Sequence, residues 1–149
     1  MKIRDLLKSK DFKYRTVVTI RPNETVSAAI QKLTEYDRGS IPVCNDKGEI
    51  GGIITERDIL RKCFDRSYAF VNKEIKDVMT EQVAIATPED DLDYAIDIMK
   101  KRRIRHIPIV DNQKVVGMVS MRDLLGWQYE ETKAEIRYAQ MLPRGPRLG

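Results

Sequence analysis

Val18-Thr19-Ile20-Arg21-Pro22-Asn23-Glu24-Thr25-Val26-Ser27-Ala28-Ala29-Ile30 is answered, 66 residues further on, by Ala84-Ile85-Ala86-Thr87-Pro88-Glu89-Asp90-Asp91-Leu92-Asp93-Tyr94-Ala95-Ile96. Pro22 falls on Pro88, Ala29 on Ala95 and Ile30 on Ile96, and Ile41-Pro42-Val43 falls on Ile107-Pro108-Ile109 at the same offset. One turn residue is then lost. Gly52-Ile53-Ile54-Thr55-Glu56-Arg57-Asp58 therefore falls on Gly117-Met118-Val119-Ser120-Met121-Arg122-Asp123 at an offset of 65. Upstream, Ile3-Arg4-Asp5-Leu6-Leu7 resembles Ile75-Lys76-Asp77-Val78-Met79. Self-similarity at a fixed period marks a repeated structural unit, here two copies of roughly 60 residues.

Periodicity switches in the same order inside each copy. Val17 to Ile20 and Val83 to Ile85 read as a short first strand, ended by Pro22 and Pro88, which cannot donate to a ladder. Val26, Ala29, Ile30 and Leu33 then recur at helical spacing, as do Leu92, Ala95, Ile96 and Met99. Gly39 is placed to close the first helix. Two apolar runs follow, Ile41 to Cys44 and Ile50 to Thr55, joined by Asn45-Asp46-Lys47-Gly48. In the second copy Ile107 to Val110 and Val115 to Ser120 are joined by Asp111-Asn112-Gln113-Lys114. These are hairpin signals. A second helix starts at Thr55 and at Ser120. The reading is an α/β (α+β) fold of two β-α-β-β-α units. Each unit buries too little surface to stand alone, so the two are expected to pack their sheets together.

With 149 residues, 42% hydrophobic and 34% charged, the chain has the composition of a folded, charge-rich domain. No apolar run approaches a bilayer's thickness, and no signal core follows Met1-Lys2-Ile3-Arg4-Asp5. A cytoplasmic location is therefore expected. The isolated Cys44 and Cys63 exclude a disulfide framework and a zinc site of their own, and the single His106 excludes a His-rich metal centre. Cys44, on an apolar strand, reads as a small buried hydrophobe. Nothing marks Cys63 as activated. The net charge of +4 comes from residues 1–16, with six Lys/Arg against two Asp/Glu, since residues 17–149 hold 21 of each. A basic face long enough to follow a duplex is not implied.

Chemistry concentrates in the tetrads Thr55-Glu56-Arg57-Asp58 and Ser120-Met121-Arg122-Asp123. Ser or Thr with an acid three residues later is a capping-box pattern, which satisfies orphan helix N–H groups without any ligand. The same place also suits an anion: free N–H donors, the positive end of the dipole and a guanidinium fork face a phosphate. A carboxylate there can accept hydrogen bonds from the two hydroxyls of a ribose. The combination occurs twice, each time after a Gly-containing strand. Lys100-Lys101-Arg102-Arg103-Ile104-Arg105-His106, the densest basic run, reads as a cationic helix C-terminus complementing the dipole.

Taken together, Thr19-Ile20-Arg21-Pro22, the Ala29-Ile30 helix, Gly39-Ser40-Ile41-Pro42-Val43 and Gly52 to Asp58, with Thr87-Pro88, Ala95-Ile96, Arg105-His106-Ile107-Pro108-Ile109 and Gly117 to Asp123, resemble a tandem pair of cystathionine β-synthase (CBS) domains, a Bateman module. The resemblance covers about residues 1–125. It implies a pseudo-twofold pair with a cleft for adenosine-containing ligands such as AMP, ADP or ATP. Carried over, one site uses Thr55, Arg57 and Asp58 and the other Ser120, Arg122 and Asp123. Ile41-Pro42 and Ile107-Pro108 would lie near the bases, with Thr19 a further candidate. Arg105 and His106, just ahead of Ile107-Pro108, become candidates for phosphate, and Gly39-Ser40 in the first copy makes the two sites unequal. The resulting division is residues 1–61 as the first unit, 62–74 as a linker, 75–125 as the second unit, and 126–149 as a C-terminal helix and frayed tail.

Phe64, Tyr68, Phe70 and Val71 suggest an ordered connector, and Leu124, Leu125, Trp127, Ile136 and Met141 an amphipathic continuation that docks on the module or a partner. Trp127, Tyr129 and Tyr138 suit either core or interface, and Pro143 and Pro146 mark the tail. The expected function is regulatory sensing of an adenine nucleotide by a homodimer, with no catalytic cofactor, because no nucleophile–base pair, carboxylate pair or metal cluster is evident. S-adenosylmethionine or NAD could fill the same constellation. A nucleic-acid-binding protein using residues 1–16 and 100–106 is the competing class.

Overall fold

The computed structural model describes residues 1–63 and 68–131. The chain opens with two short helices, α1 (Ile3–Leu7) and α2 (Lys10–Lys13). The first unit follows as α3 (Val26–Glu35), β1 (Ser40–Cys44), β2 (Ile50–Thr55) and α4 (Glu56–Cys63). Short 3₁₀ turns at Tyr68–Asn72 and Ile75–Asp77 lead to the second unit, α5 (Leu92–Arg102), β3 (His106–Asp111), β4 (Lys114–Ser120) and α6 (Met121–Glu131). Each unit carries an antiparallel hairpin. Ser40 pairs with Thr55 and His106 with Ser120, and both hairpins shift register at the same place, between Val43 and Cys44 and between Ile109 and Val110. Asn112 and Gln113 turn the second hairpin with φ of 51° and 69°, the two left-handed residues that a tight hairpin turn requires.

The first strand of each unit is shorter than its apolar run suggests. It contracts to a single parallel bridge, Ile20 with Val43 and Ala86 with Ile109. The prolines explain this. Ile20 N–H donates to the Pro42 carbonyl at 3.1 Å and Cys44 N–H to the Ile20 carbonyl at 2.9 Å. The next parallel rung toward Val18 would need an N–H from Pro42, and the rung beyond Ile20 would need one from Pro22. Neither has one. Pro108 and Pro88 impose the same limit around Ala86. Gly39 does not close α3: that helix ends at Glu35, and the left-handed residue after it is Asp37, with φ of 51°. Ile30, counted on the apolar face, is 38% exposed, whereas Val26, Ala29 and Leu33 are buried.

The two cores are exchanged between sequence copies. Ile20, Val26, Ala29, Leu33, Ile41, Val43 and Ile54 of the first unit pack with Phe70, Ile75 and Val78, which lead into the second. The second core, Leu92, Ala95, Met99, Ile107, Ile109, Val119 and Leu124, is completed by Ile3, Leu6 and Phe12. The hydrogen bonds repeat the exchange. Ile75 and Lys76 N–H donate to the carbonyls of Glu24 and Pro22 (2.8 and 2.9 Å), while Ile3 and Arg4 N–H donate to those of Asp90 and Pro88 (2.9 and 2.8 Å). Residues 1–12 thus precede the first unit in the chain but fill the core of the second. Close crossing makes this possible. A Cβ on Gly52 would lie 2.6 Å from Met79 Sδ and 2.9 Å from the Thr80 carbonyl, and one on Gly117 would lie 3.1 Å from Leu7 Cδ2. Each fully buried isoleucine contributes about 1.5–3 kcal/mol to holding these segments down.

The hairpins of the two units touch edge to edge, through the Glu49–Lys114 bridge and the Val115 N–H to the Gly48 carbonyl at 3.2 Å. Cys44 is buried, which pushes its thiol pKa up. Cys63 is the last residue of α4 and half-buried. Phe70 is buried, but Val71 is exposed. In α6, Leu124 is buried and Trp127 half-buried. The expectations for Phe64, Ile136, Tyr138, Met141, Pro143 and Pro146 lie outside the described residues.

Candidate functional site: the cleft at the start of α6

Both tetrads form reciprocal caps. Asp58 N–H donates to Thr55 Oγ1 (3.0 Å) and Thr55 N–H to Asp58 Oδ2 (3.1 Å); Asp123 N–H donates to Ser120 Oγ (3.0 Å) and Ser120 N–H to Asp123 Oδ2 (2.8 Å). The capping reading therefore holds for both, and each cap contributes about 1 kcal/mol. It does not exhaust the carboxylates. The two differ in what holds the remaining lone pairs. Asp58 Oδ1 accepts from the Thr80 hydroxyl at 3.1 Å, and Thr80 is itself fixed by paired backbone bonds to Ile53. Asp123 instead receives Arg15 Nη1 at 3.2 Å and 3.3 Å from its two oxygens.

Asp123 lies in the wall of a cleft of about 680 Å³ between the units. The first unit supplies Thr16 to Val18, Arg38 to Ser40 and Glu56; the second supplies Arg105, His106 and Ser120 to Asp123. Lys13, Arg15, Arg38, Arg105 and Arg122 outnumber Asp37, Glu56 and Asp123 around it, so the cleft favours an anion. Arg38 is steadied by its Nη2 donating to the Thr16 carbonyl. Ser40 is 3% exposed and its buried hydroxyl has no hydrogen-bond partner among the described residues. His106 packs on Gly39, where a Cβ would come within 2.9 Å of the imidazole, so only glycine lets the ring lie there. Burial pushes the His106 pKa down, against the pull of Asp123 and Glu56 and with a further lowering from Arg105.

Of the residues singled out from sequence, Ser120, Arg122, Asp123, Arg105 and His106 meet in this cleft. Thr55, Arg57 and Asp58 stand at the start of α4, outside its lining, although their neighbour Glu56 reaches it. Ile41, Pro42, Ile107 and Pro108 are buried in β1 and β3, with the proline carbonyls accepting from Ile20 and Ala86, and are not part of the lining. Thr19 turns its carbonyl to Lys32 Nζ at 2.8 Å. Sequence reasoning missed Arg15, Arg38 and Ser40. Ser40 was legible as the partner of His106 in the repeat alignment. Arg15 was visible only as part of the charge surplus of residues 1–16, since nothing local connects it to a residue 108 positions away.

A second cavity of about 670 Å³ adjoins the first, sharing Phe12, Arg15, Arg122 and Asp123 with it. Among the described residues no cluster of three or more His, Cys, Asp or Glu could hold a metal, and no helix is long and apolar enough to cross a membrane.

A family model described as CBS domain matches residues 10–65 and again 75–130, the two halves just described. The chain belongs to the CBS domain family. It is a CBS pair, a regulatory module, and its relatives agree in sequence and shape. The CBS domain-containing protein YhcV of Bacillus subtilis is 30% identical over 115 residues, covering 77% of this chain and 81% of its own. The structure of a putative signal-transduction protein with CBS domains from Burkholderia ambifaria superposes with a TM-score of 0.78 at 31% identity, over 88% of this chain and 96% of that one. The CBS domain pair of protein MJ0100, solved in complex with 5′-methylthioadenosine and S-adenosyl-L-methionine, superposes with a TM-score of 0.75 at 26% identity, over 88% and 98%. Several curated relatives are longer: this CBS pair spans between 23% and 65% of the length of five of them.

Proposed function

We propose that this CBS pair is a non-catalytic sensor whose cleft takes an adenine nucleotide (AMP, ADP or ATP) as a regulatory ligand. The observation that carries this reading is the meeting of Asp123, at a helix N-terminus and suited to a ribose, with five cationic side chains suited to phosphate. MJ0100 supports adenosine as the common element. The charge of the cleft favours a nucleotide over S-adenosylmethionine, whose sulfonium would face Arg15, Arg38, Arg105 and Arg122. The Thr55, Arg57 and Asp58 tetrad is the second half-site on the same logic. Switching rests on the ligand's unequal affinity for two arrangements of the units, and no cofactor chemistry enters. Titration calorimetry of the full chain with AMP, ADP, ATP, NAD and S-adenosylmethionine tests this. Adenine nucleotides should bind at least about tenfold more tightly than S-adenosylmethionine, one ion pair's difference. Equal affinities, or no nucleotide binding, would overturn it.

A nucleic acid is the weaker reading. Three of the six cations in residues 1–16 already face carboxylates, Lys2 and Arg4 at Glu89 and Arg15 at Asp123. A cytoplasmic homodimer remains the expected setting. Leu60 on α4 and Leu125 on α6, 65 residues apart and so equivalent in the repeat, are 71% and 56% exposed, an apolar pair suited to a second copy. Sedimentation velocity should show a dimer that Leu60→Asp with Leu125→Asp dissociates; a monomeric wild-type chain would exclude this interface.

A further inference from the structure

Resting on the nucleotide reading, we propose that Arg15 sets the specificity of the cleft for a ligand carrying an anionic group beside its ribose, because Arg15 is the partner that the ribose must displace from Asp123. Arg15 Nη1 lies 3.2 Å and 3.3 Å from the two carboxylate oxygens, and Oδ2 is further committed to the Ser120 N–H at 2.8 Å. The pair is well shielded, with side-chain exposures of 29% and 16%. The arm that carries Arg15 is anchored, since the guanidinium lies 3.9 Å over the ring of Phe12, a residue of the second core. These contacts fill three of the carboxylate's four or so acceptor sites, so the two hydroxyls of a ribose can both reach Asp123 only if the guanidinium yields.

The cost depends on what the guanidinium meets next. A neutral nucleoside frees Arg15 and leaves it in a half-buried place without an anion. A nucleotide brings a phosphate into the same cleft, and Arg15 exchanges one anion for another. The second cavity, which shares Arg15 and Asp123 with the cleft, gives the side chain adjoining space. Among the described residues the other tetrad lacks this selection. Asp58 is held by the neutral Thr80 hydroxyl, whose displacement strands no charge. The two tetrads are thus alike as caps and different as ligand sites, and the difference lies in residues outside both.

Calorimetry of the full chain with AMP and with adenosine tests the proposal. Wild-type protein should prefer AMP. In Arg15→Gln, AMP should weaken while adenosine tightens, so that the ratio of affinities falls on the order of tenfold. Arg15→Lys, which keeps the charge without the fork, should give an intermediate ratio. Melting curves confirm that each variant is folded. Equal changes for both ligands, or an unchanged ratio in Arg15→Gln, would overturn the role of Arg15 while leaving the nucleotide reading in place. Wild-type protein that binds neither ligand would overturn both.

Discussion

Ile75→Ala will destabilise the first unit and Ile3→Ala the second, each opposite to the copy that the residue introduces in the chain. Both side chains are fully buried, Ile75 among Ile20, Val26 and Ile41, and Ile3 among Leu92, Ile107 and Val119. Truncating a buried isoleucine removes its transfer free energy and leaves a cavity, together about 2–5 kcal/mol. For a domain of ordinary stability that is a large fraction of the total. Urea unfolding should show the loss. Native-state hydrogen exchange should localise it, with amides of β1 and β2 losing protection in Ile75→Ala and those of β3 and β4 in Ile3→Ala. Loss confined instead to β3 and β4 in Ile75→Ala would contradict the exchanged cores. Tyr14→Ala, at a site 82% exposed, is the control and should change stability by less than about 0.5 kcal/mol.

The second large effect concerns Asp123. Asp123→Ala should abolish measurable nucleotide binding in the cleft while leaving the chain folded. The carboxylate would make two charge-assisted hydrogen bonds to a ribose, each worth about 1.5–3 kcal/mol, so the affinity should fall by about a hundredfold or more. The capping role adds a stability cost of about 0.5–2 kcal/mol, so melting must be followed alongside. Asp123→Asn separates the two effects. Its amide oxygen can still accept the Ser120 N–H, which preserves the cap, but it carries no charge. Asp58→Ala should remove a second binding event by the same reasoning. Unchanged calorimetric binding in a folded Asp58→Ala, Asp123→Ala double variant would sink the ribose assignment for both tetrads.

Much of this could be read from local pattern. The helices over Val26–Glu35 and Leu92–Arg102 follow from apolar residues three and four apart, and the hairpins from apolar runs around Asn45–Gly48 and Asp111–Lys114. The caps at Thr55 and Ser120 follow from a hydroxyl three residues before a carboxylate. Apolar runs overstate the first strands because such a run signals burial and not pairing. Pro22, Pro42, Pro88 and Pro108 remove the donors that would extend them, which becomes visible only once the parallel register is known. Of the cleft, Ser120 to Asp123, Arg105 and His106 were legible because they belong to repeated or charge-dense motifs. Arg15 was not, because an isolated cation in a basic segment has no local signature of its distant partner.

Local pattern in the chain accounts for the duplication, the order of elements within each copy and the capped carboxylate at the head of each second helix. These depend on neighbours within one or two turns of chain, where backbone geometry leaves few choices. Long-range packing is what puts residues 1–12 in the second core and residues 70–78 in the first, and what sets Arg15 rather than a hydroxyl against Asp123. The reason lies in the repeat itself. Ile3-Arg4-Asp5-Leu6-Leu7 and Ile75-Lys76-Asp77-Val78-Met79 present nearly the same apolar face, and the two hairpins present nearly the same groove. Hydrophobic burial is non-directional and does not choose between two such equivalent partners. The path of the whole chain makes that choice, and in making it delivers a different residue to each carboxylate.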